Sequence, residues 1–278
     1  MRLLFLGDVV GRTGRRAVLA QLPGLRRRLD ADFVIVNGEN AAGGYGITGM
    51  IARDLQEAGA DCLTTGNHVW DQREILSYID GDHRLLRPAN YPDGTPGRGV
   101  TLLEARGGRR VMVLNAMARL FMDALDDPFA VVDRLLGEIA MPRDADAVVL
   151  DFHGEATSEK MAMGHYLDGR VTLVVGTHSH VPTADVQVLP GGTAYQTDAG
   201  MCGDYDSVIG MKKDAAVARF IRKVPGERLT PAESAATICG LVVDTDDATG
   251  LAVRAQPLRI GGRLEPAWPT LEGVAEPA

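Results

Sequence analysis

The stretch FVIVNGEN, residues 33–40, joins four apolar residues directly to a group of polar ones. Its apolar half is typical of a buried β-strand in a sheet that is covered on both faces. A turn explains Asn37 and Gly38, and a helix cap explains one more polar side chain. Neither explains Glu39 and Asn40 together. We therefore predict a core strand whose carboxyl end directs several polar groups at one place.

The same pattern recurs along the chain, where other short apolar runs end in polar residues. These runs are residues 3–6 before GD, 62–65 before GNH, 147–150 before DFHGE and 171–175 before GTHSH. Amphipathic helical patterns follow several of them, at 15–29, 50–58 and 71–79. Buried strands that alternate with helices predict an α/β fold with a largely parallel sheet. Because ligands bind beyond the carboxyl ends of such strands, these ends are candidates for one shared site.

Antiparallel hairpins are predicted in the middle and at the end of the chain. The paired runs are 100–105 with 110–115, 186–189 with 193–196, and 238–243 with 251–257. Gly-rich or Asp-rich turns separate the two members of each pair. We therefore expect a mixed sheet, or two sheets packed face to face.

Composition limits the classes of protein that fit. The chain has 278 residues, 45% hydrophobic and 24% charged, as in ordinary globular proteins. Its net charge of −8 argues against a broad basic surface for nucleic acid. Three cysteines without a CxxC pair fit a reducing compartment, and no apolar stretch is long enough for a membrane span. We expect a soluble, cytoplasmic protein.

Four of the six histidines, His68, His153, His178 and His180, fall at predicted strand ends. Each has an ordinary alternative: the pair in GTHSH could be turn histidines, and His153 could be a hydrogen-bonded core residue. Together with carboxylates and amide oxygens, however, the set suits Mn, Fe(II) or Zn. The absence of cysteine from the cluster argues against a structural zinc site.

Two glycine-rich motifs offer competing interpretations. GYGITG, residues 44–49, matches a dinucleotide-binding fingerprint, but it does not directly follow a strand. We predict a loop beside the site instead. GRTG, residues 11–14, lacks the spacing and the lysine of a P-loop. Arg12 in this motif is a candidate anion contact, with a solvated helix start as the alternative.

The motifs together resemble the calcineurin-like metallophosphoesterase superfamily and, more closely, the YmdB-like bacterial phosphodiesterases. The resemblance extends over residues 1–260 and is carried by GDVVGRTGR, NGENAAGG, GNHVWD, DFHGEATSEK, GTHSHVPTAD and TDAGMCGDYDSVIGMKK. It implies an α/β/β/α sandwich, in which two packed mixed sheets are flanked by helices. We predict a metallophosphoesterase domain at 1–265 and a short C-terminal tail at 266–278.

The resemblance also implies the roles of individual residues in a two-metal site. One metal would be held by Asp8, Glu39, Asn40 and His180, and Glu39 would bridge to a second metal held by Asn67, His153 and His178. His68 would be a proton donor rather than a ligand, with Asp71 as the candidate to orient its ring. Glu155 is a candidate partner of His153. Asp198 and Tyr205 are candidates for the substrate pocket, the alternative being a loop held by local hydrogen bonds.

One departure from the common superfamily pattern concerns the first two motifs. That pattern has Asp-x-His in the first motif and Asp in the second. Here Val10 stands at the position of the histidine, and Glu39 stands at the position of the second aspartate. We expect Asn40 to fill the coordination position that the missing histidine leaves.

The implied activity is a dinuclear metal-dependent phosphodiesterase that hydrolyses 2′,3′-cyclic nucleotides. A metal-bridging hydroxide would attack phosphorus, with His68 as general acid. Fe(II) or Mn(II) are the expected metals, and Mg or Zn also fit the ligands. Alternatives are a phosphomonoesterase or nuclease of the same superfamily, or a metal-dependent regulatory protein that binds nucleotides or RNA ends. The expected partners are a cyclic nucleotide, RNA 2′,3′-cyclic phosphate ends and further copies of the chain in a homo-oligomer, with no membrane contact.

Overall fold

Two β-sheets lie face to face in the computed structural model, which describes residues 1–137, 139–222 and 226–270. The strands are β1 Arg2–Leu6, β2 Asp8–Val9, β3 Phe33–Asn37, β4 Cys62–Thr64, β5 Val100–Glu104, β6 Arg110–Met117, β7 Ala147–His153, β8 Leu173–Thr177, β9 Gln187–Val188, β10 Ala194–Gln196, β11 Met201–Asp204, β12 Ala236–Thr245 and β13 Ala252–Ile260. The α-helices are α1 Gly11–Arg28, α2 Gly49–Glu57, α3 Ile75–Tyr78, α4 Pro128–Leu136, α5 Thr157–Tyr166 and α6 Lys213–Arg222.

The first sheet has seven strands in the order β2-β11-β12-β1-β3-β4, with β13 paired to β12. β1, β3 and β4 run parallel, so the residues after β3 and β4 emerge at the same edge. β12 and β13 close the sheet as an antiparallel hairpin. β2 pairs with β11 in parallel, and Asp8 lies opposite Met201.

The second sheet has six strands in the order β5-β6-β7-β8-β10-β9. Its centre, β6 to β10, is parallel, while β5 and β9 add antiparallel edges. β7 and β8 end side by side, and His153 pairs with Thr177. The carboxyl ends of β7 and β8 therefore deliver the DFHGE and GTHSH motifs to one place.

Alternation along the strands builds three apolar layers. In β1, Leu3 and Phe5 face the core between the sheets, whereas Leu4 and Leu6 face the core beneath α1 and α2. A third cluster packs α4 and α5 against the outer face of the second sheet. Each sheet is thus covered on both faces, and the predicted α/β/β/α sandwich of two mixed sheets is confirmed.

Local predictions differ in their outcomes. The three predicted hairpins are present as β5–β6, β9–β10 and β12–β13. The helix predicted at 71–79 is wrong over most of its length, since only Ile75–Tyr78 is α-helical. The preceding turn makes tertiary contacts instead, with Asp71 bound to His68 and Gln72 bound to two loop carbonyls.

The tail boundary at 266 stays a prediction. Within the described part, Ala267 pairs with Arg259 and the Trp268 ring lies 4.4 Å from the Arg28 guanidinium carbon, so this segment is docked on the domain. Residues 271–278 lie outside the described residues. Over the described ranges, no helix combines the length and the apolar character that crossing a membrane requires.

Candidate metal centre

Eight predicted site residues lie at strand ends on one edge of the two sheets. Asp8 is in β2, Glu39 and Asn40 follow β3, Asn67 and His68 follow β4, His153 ends β7, and His178 and His180 follow β8. Carboxylate and imidazole atoms of Asp8, Glu39 and His153 all lie within 4.8 Å of one another, and all three residues are buried. The shared site predicted from the strand ends therefore exists as a geometric cluster.

The most crowded point of the cluster is Nε2 of His153. Glu39 Oε2 lies 2.7 Å from this nitrogen, Asn67 Oδ1 lies 3.0 Å from it, and His178 Nδ1 lies 3.1 Å from it. An imidazole nitrogen offers either one N–H or one lone pair, so it cannot satisfy three such neighbours. Donor atoms that converge in this way match the ligand shell of a cation.

A second group of donors surrounds Asp8. Its Oδ1 lies 3.9 Å from Nε2 of His180 and 4.0 Å from Nδ1 of His153, while Oδ2 accepts the backbone N–H of His178 at 3.2 Å. Asn40 Nδ2 lies 3.1 Å from Nε2 of His180. Asp8, Asn40 and His180 thus adjoin the Glu39–His153 group, and the division of these residues between two metals stays a prediction.

Hydrogen bonds behind the histidines fix which ring nitrogen faces the cluster. His180 Nδ1 donates to the carbonyl of Ile209 at 2.8 Å, which leaves Nε2 with its lone pair. His153 Nδ1 lies 2.9 Å from Thr177 Oγ1, and that hydroxyl donates to the buried Asp151 at 2.7 Å. Both rings are therefore oriented for coordination through Nε2.

The charges within the cluster are strongly perturbed. Burial raises the pKa of Asp8 to about 7, and the nearby His180 and His153 offset the effect only in part. Burial also acts to raise the pKa of Glu39, but contact with His153 outweighs it and holds this pKa at about 2. Burial and the charge of His153 lower the pKa of His178 to about 3. A divalent cation would favour ionised Asp8 and neutral histidines, which are the forms that coordinate metals.

Two observations test whether the residues fit a metal. Among the described residues, Asp8 Oδ1 and Glu39 Oε2 are buried oxygens without a hydrogen-bond partner, although Oε2 lies 2.7 Å from Nε2 of His153. Gly66 allows the backbone after β4 to lie close to the Glu39 carboxylate and the His153 ring, because a Cβ at this position would overlap both. Unpartnered buried carboxylate oxygens are costly unless a cation satisfies them. The donor set therefore fits a divalent metal.

His68 lies at the rim of the cluster rather than inside it. Its backbone N–H donates to Glu39 Oε1 at 3.0 Å, and its Nδ1 lies 2.8 Å from Asp71 Oδ2. The Asp71 contact predicted from the sequence is confirmed. The Tyr45 ring packs edge-on against the imidazole, with centroids 5.2 Å apart.

A cleft of about 240 Å³ opens beside the donors and is lined by Asn40, Gly44, Tyr45, His68, Glu155, His178, Ser179, His180, Ile209, Met211 and Leu229. Arg12, Asp198 and Tyr205 are not among its lining residues, and their contact with a substrate stays a prediction. Arg12 is exposed near the start of α1. Asp198 is fully buried and accepts from Lys160, Ser179 and Gly200. Tyr205 contacts backbone oxygens and Cys239.

Glu155 was expected beside His153, and this expectation is wrong. Its carboxylate lies 3.3 Å from Nε2 of His178 instead, and Thr177 occupies the position behind His153.

The supporting residues Asp151, Thr177 and Lys160 were not singled out from the sequence. Asp151 and Thr177 lie within the DFHGE and GTHSH motifs, so their position after a buried strand was the available signal. Lys160 ends the DFHGEATSEK motif, but nothing in the sequence predicted its burial, which depends on α5 docking against β8.

The two packed mixed sheets and the buried oxygen and nitrogen donors at their strand ends define the class of the protein, an α/β sandwich with a candidate metal centre. A family model described as YmdB-like protein matches residues 4–258, and the chain belongs to this family.

Relatives of the chain include proteins of known structure. The chain is 48% identical over 260 residues to a Bacillus subtilis (strain 168) protein named 2′,3′-cyclic-nucleotide 2′-phosphodiesterase, covering 94% of this chain and 97% of the relative. A crystal structure of a hypothetical protein from Thermus thermophilus has 44% identity and a TM-score of 0.87, covering 95% of this chain and all of that chain. A structure described as a novel phosphatase from Mycoplasma pneumoniae has 33% identity and a TM-score of 0.86, covering 94% and 93%.

Proposed function

We propose that the protein is a metal-dependent phosphodiesterase whose preferred substrates are 2′,3′-cyclic nucleotides. The observation that carries the proposal is a pair of buried oxygens, Asp8 Oδ1 and Glu39 Oε2, which lack a hydrogen-bond partner in the described part of the chain and lie among converging donors beside an open cleft. The name of the Bacillus subtilis relative supports the choice of ester. The chemistry of the donors supports a phosphate substrate, because cations held there would attract and stabilise phosphoryl oxygens.

The donor geometry supports two neighbouring cations. Asp8, Asn40 and His180 would hold one, Asn67, His153 and His178 would hold the other, and Glu39 lies between the two groups. Oxygen and imidazole ligands without thiolate favour Fe(II) or Mn(II), and they also admit Mg or Zn. When bound, such ions supply Lewis-acid stabilisation of phosphoryl charge and lower the pKa of water.

His68 is the residue proposed to move a proton. Asp71 Oδ2 lies 2.8 Å from Nδ1 and fixes the ring, so Nε2 is the nitrogen left to exchange a proton with the substrate. An alkoxide of ribose is a poor leaving group unless it is protonated, so donation from Nε2 to the departing 2′-oxygen would assist cleavage. The product would be a nucleoside 3′-monophosphate.

The substrate preference is tested by comparing 2′,3′-cyclic AMP, 3′,5′-cyclic AMP and 3′-AMP with Mn²⁺- or Fe²⁺-loaded protein. We expect the highest kcat/KM for the 2′,3′-cyclic diester. Glu39→Gln should remove turnover and lower metal occupancy, while Glu57→Gln on the exposed face of α2 should leave both unchanged. Equal rates for all three esters would refute the substrate assignment, and full occupancy of both metals in Glu39→Gln would refute the bridging role.

A phosphomonoesterase is the second candidate, because the Mycoplasma pneumoniae relative is described as a phosphatase. One feature of the cleft disfavours it. Glu155 lies on the cleft lining, and its half-exposed carboxylate would repel the extra negative charge of a monoester more than a singly charged diester. Faster release of phosphate from 3′-AMP than hydrolysis of the cyclic diester would favour the phosphomonoesterase instead.

A further inference from the structure

The lining of the cleft beside the candidate metal centre is chemically mixed. Besides polar residues such as His68, it includes the apolar side chains of Tyr45, Ile209, Met211 and Leu229, which we call the apolar wall, and the Tyr45 ring lies against His68. Ile209 is unusual among these because its side chain is a large apolar group that is 54% exposed. An exposed apolar wall next to a polar centre is the arrangement found in small-molecule sites, where the apolar part supplies contact and the polar groups fix orientation.

Ile209 also has a backbone conformation that its side chain disfavours. Val208 and Met211 exchange two backbone hydrogen bonds of 2.9 Å, which makes Ile209 and Gly210 the central residues of a tight turn. Their φ angles are 45° and 92°, both positive as in a type I′ turn. The first central position of that turn favours Asn, Asp or Gly. A β-branched residue with positive φ is a genuine outlier.

The turn is fixed by contacts that do not need an isoleucine side chain. The carbonyl of Ile209 accepts Nδ1–H of His180, and the N–H of Gly210 donates to Ser207 Oγ at 2.8 Å. Both bonds to the turn use backbone atoms, so Asn or Gly at 209 would keep them without the strain. Strained residues cluster at ligand clamps and active sites. We therefore look for the function of the isoleucine side chain in the cleft that it lines.

We propose that the apolar wall is a nucleobase subsite and that Ile209 is a specificity-determining residue within it. The inference rests on the proposed function, which positions the anionic phosphate at the metal donors. His180, one of the proposed metal ligands, donates to the Ile209 carbonyl, so Ile209 lies next to the metal donors. A substrate bound by phosphate at the donors would extend its ribose along the cleft. Its planar, uncharged base would then cover Ile209 and the neighbouring apolar side chains.

The test measures binding rather than turnover. Isothermal titration of Mn²⁺-loaded protein with 3′-AMP and with ribose 3-phosphate compares ligands that differ only in the base. We expect wild type to bind 3′-AMP about tenfold more tightly, and Ile209→Asn to lose most of this preference through weaker 3′-AMP binding alone. Because Asn suits the turn, the melting temperature of Ile209→Asn should not fall. Val253→Asn, at a residue that is 62% exposed on β13, is the matched control and should keep the preference.

Three results would overturn the subsite. They are equal affinity of wild type for both ligands, an undiminished preference in Ile209→Asn, and equal weakening of both ligands in that variant. The last would indicate that the substitution acts through His180 on the metal centre. Failure of the proposed function is a separate outcome. If the wild-type protein hydrolysed no cyclic diester, the titration would still measure whether it prefers 3′-AMP to ribose 3-phosphate.

Discussion

Replacement of Lys160 by methionine tests how the His178–His180 loop is held. The Lys160 side chain is 1% exposed, and Nζ donates to Asp198 Oδ2 at 2.9 Å and to the carbonyl of Thr177 at 2.7 Å. The same Asp198 oxygen accepts the N–H of Ser179 at 2.9 Å. The ion pair therefore binds the backbone on both sides of His178, at the carbonyl of Thr177 and the N–H of Ser179. His178 itself has a φ of 99°, in the left-handed region that favours glycine.

The magnitude follows from burial. Lys160→Met keeps the chain length but leaves the buried Asp198 charge without its counter-ion, which costs about 3–5 kcal/mol of unfolding free energy. Lys160→Met/Asp198→Asn removes that charge and keeps one acceptor oxygen, for the N–H of either Ser179 or Gly200. Both variants lack the donor to the Thr177 carbonyl, and the double variant replaces the unpaired charge by one lost acceptor, at about 1–3 kcal/mol. We therefore expect the double variant to be more stable than the single one.

Urea unfolding of metal-free protein measures these differences, and Mn²⁺ titration measures the effect on the loop. We expect Mn²⁺ affinity to fall about 10–100-fold in the single variant, as for other residues that orient metal ligands. Lys213→Met is the matched control, because Lys213 pairs with Asp206 at 2.8 Å on the surface, with side chains 53% and 42% exposed. Its cost should be below about 1 kcal/mol. A Lys160→Met variant as stable as this control, or a double variant less stable than the single one, would refute the reasoning.

Three further predictions concern the candidate metal centre. His68→Ala should lower turnover about 10²–10⁴-fold while Mn²⁺ and 3′-AMP still bind, and Asp71→Asn should cause a smaller loss; unchanged biological activity in His68→Ala would favour the regulatory alternative. Gly66→Ala should abolish Mn²⁺ binding in calorimetry, since the added methyl overlaps the Glu39 carboxylate; normal binding would contradict the close approach. Because the pKa of Asp8 is raised from 3.8 to about 7, the folded metal-free protein retains a proton that the unfolded chain releases, so its stability falls as pH rises through this range. Mn²⁺ competes with that proton, and it should therefore raise the melting temperature more at about pH 8 than at about pH 5.5, whereas an equal rise at both would contradict the assignment.

The strand ends could be predicted from the sequence because their signal is local. An apolar run that stops at Asp, Asn, Glu or His marks both a buried strand and the edge where its polar residues emerge. Parallel pairing then brings distant motifs together, as in the register of His153 with Thr177. That is why Glu39, His153 and His178 could be assigned to one site without knowledge of the fold's details.

The contacts between elements could not be predicted in the same way. Asp198 looks like any loop aspartate until α5 brings Lys160 against it. Asp71 could be proposed as the partner of His68 because it is close in sequence, but the helical pattern at 71–79 did not show that this contact forms in a turn. The pairing of Lys160 with Asp198 joins side chains whose orientation depends on tertiary packing. Periodicity carries no information about such pairs.

A backbone hydrogen bond next to Val10 links the first motif to Asn40 of the second motif. Val10 is 2% exposed and packs beside Gly210, where an added Cβ would lie 2.8 Å from Val10 Cγ1. Val10 therefore packs beneath the turn of Ile209 and Gly210, and its apolar side chain has no atom that could bind a metal. The next N–H, that of Gly11, donates to the carbonyl of Asn40 at 2.9 Å. This bond holds Asn40 against the first motif, with its Nδ2 3.1 Å from Nε2 of His180. In the proposed metal site, the polar residues of FVIVNGEN would thus supply, from the second motif, a ligand that the first motif lacks, and Val10 of the first motif packs beneath the turn that carries Ile209.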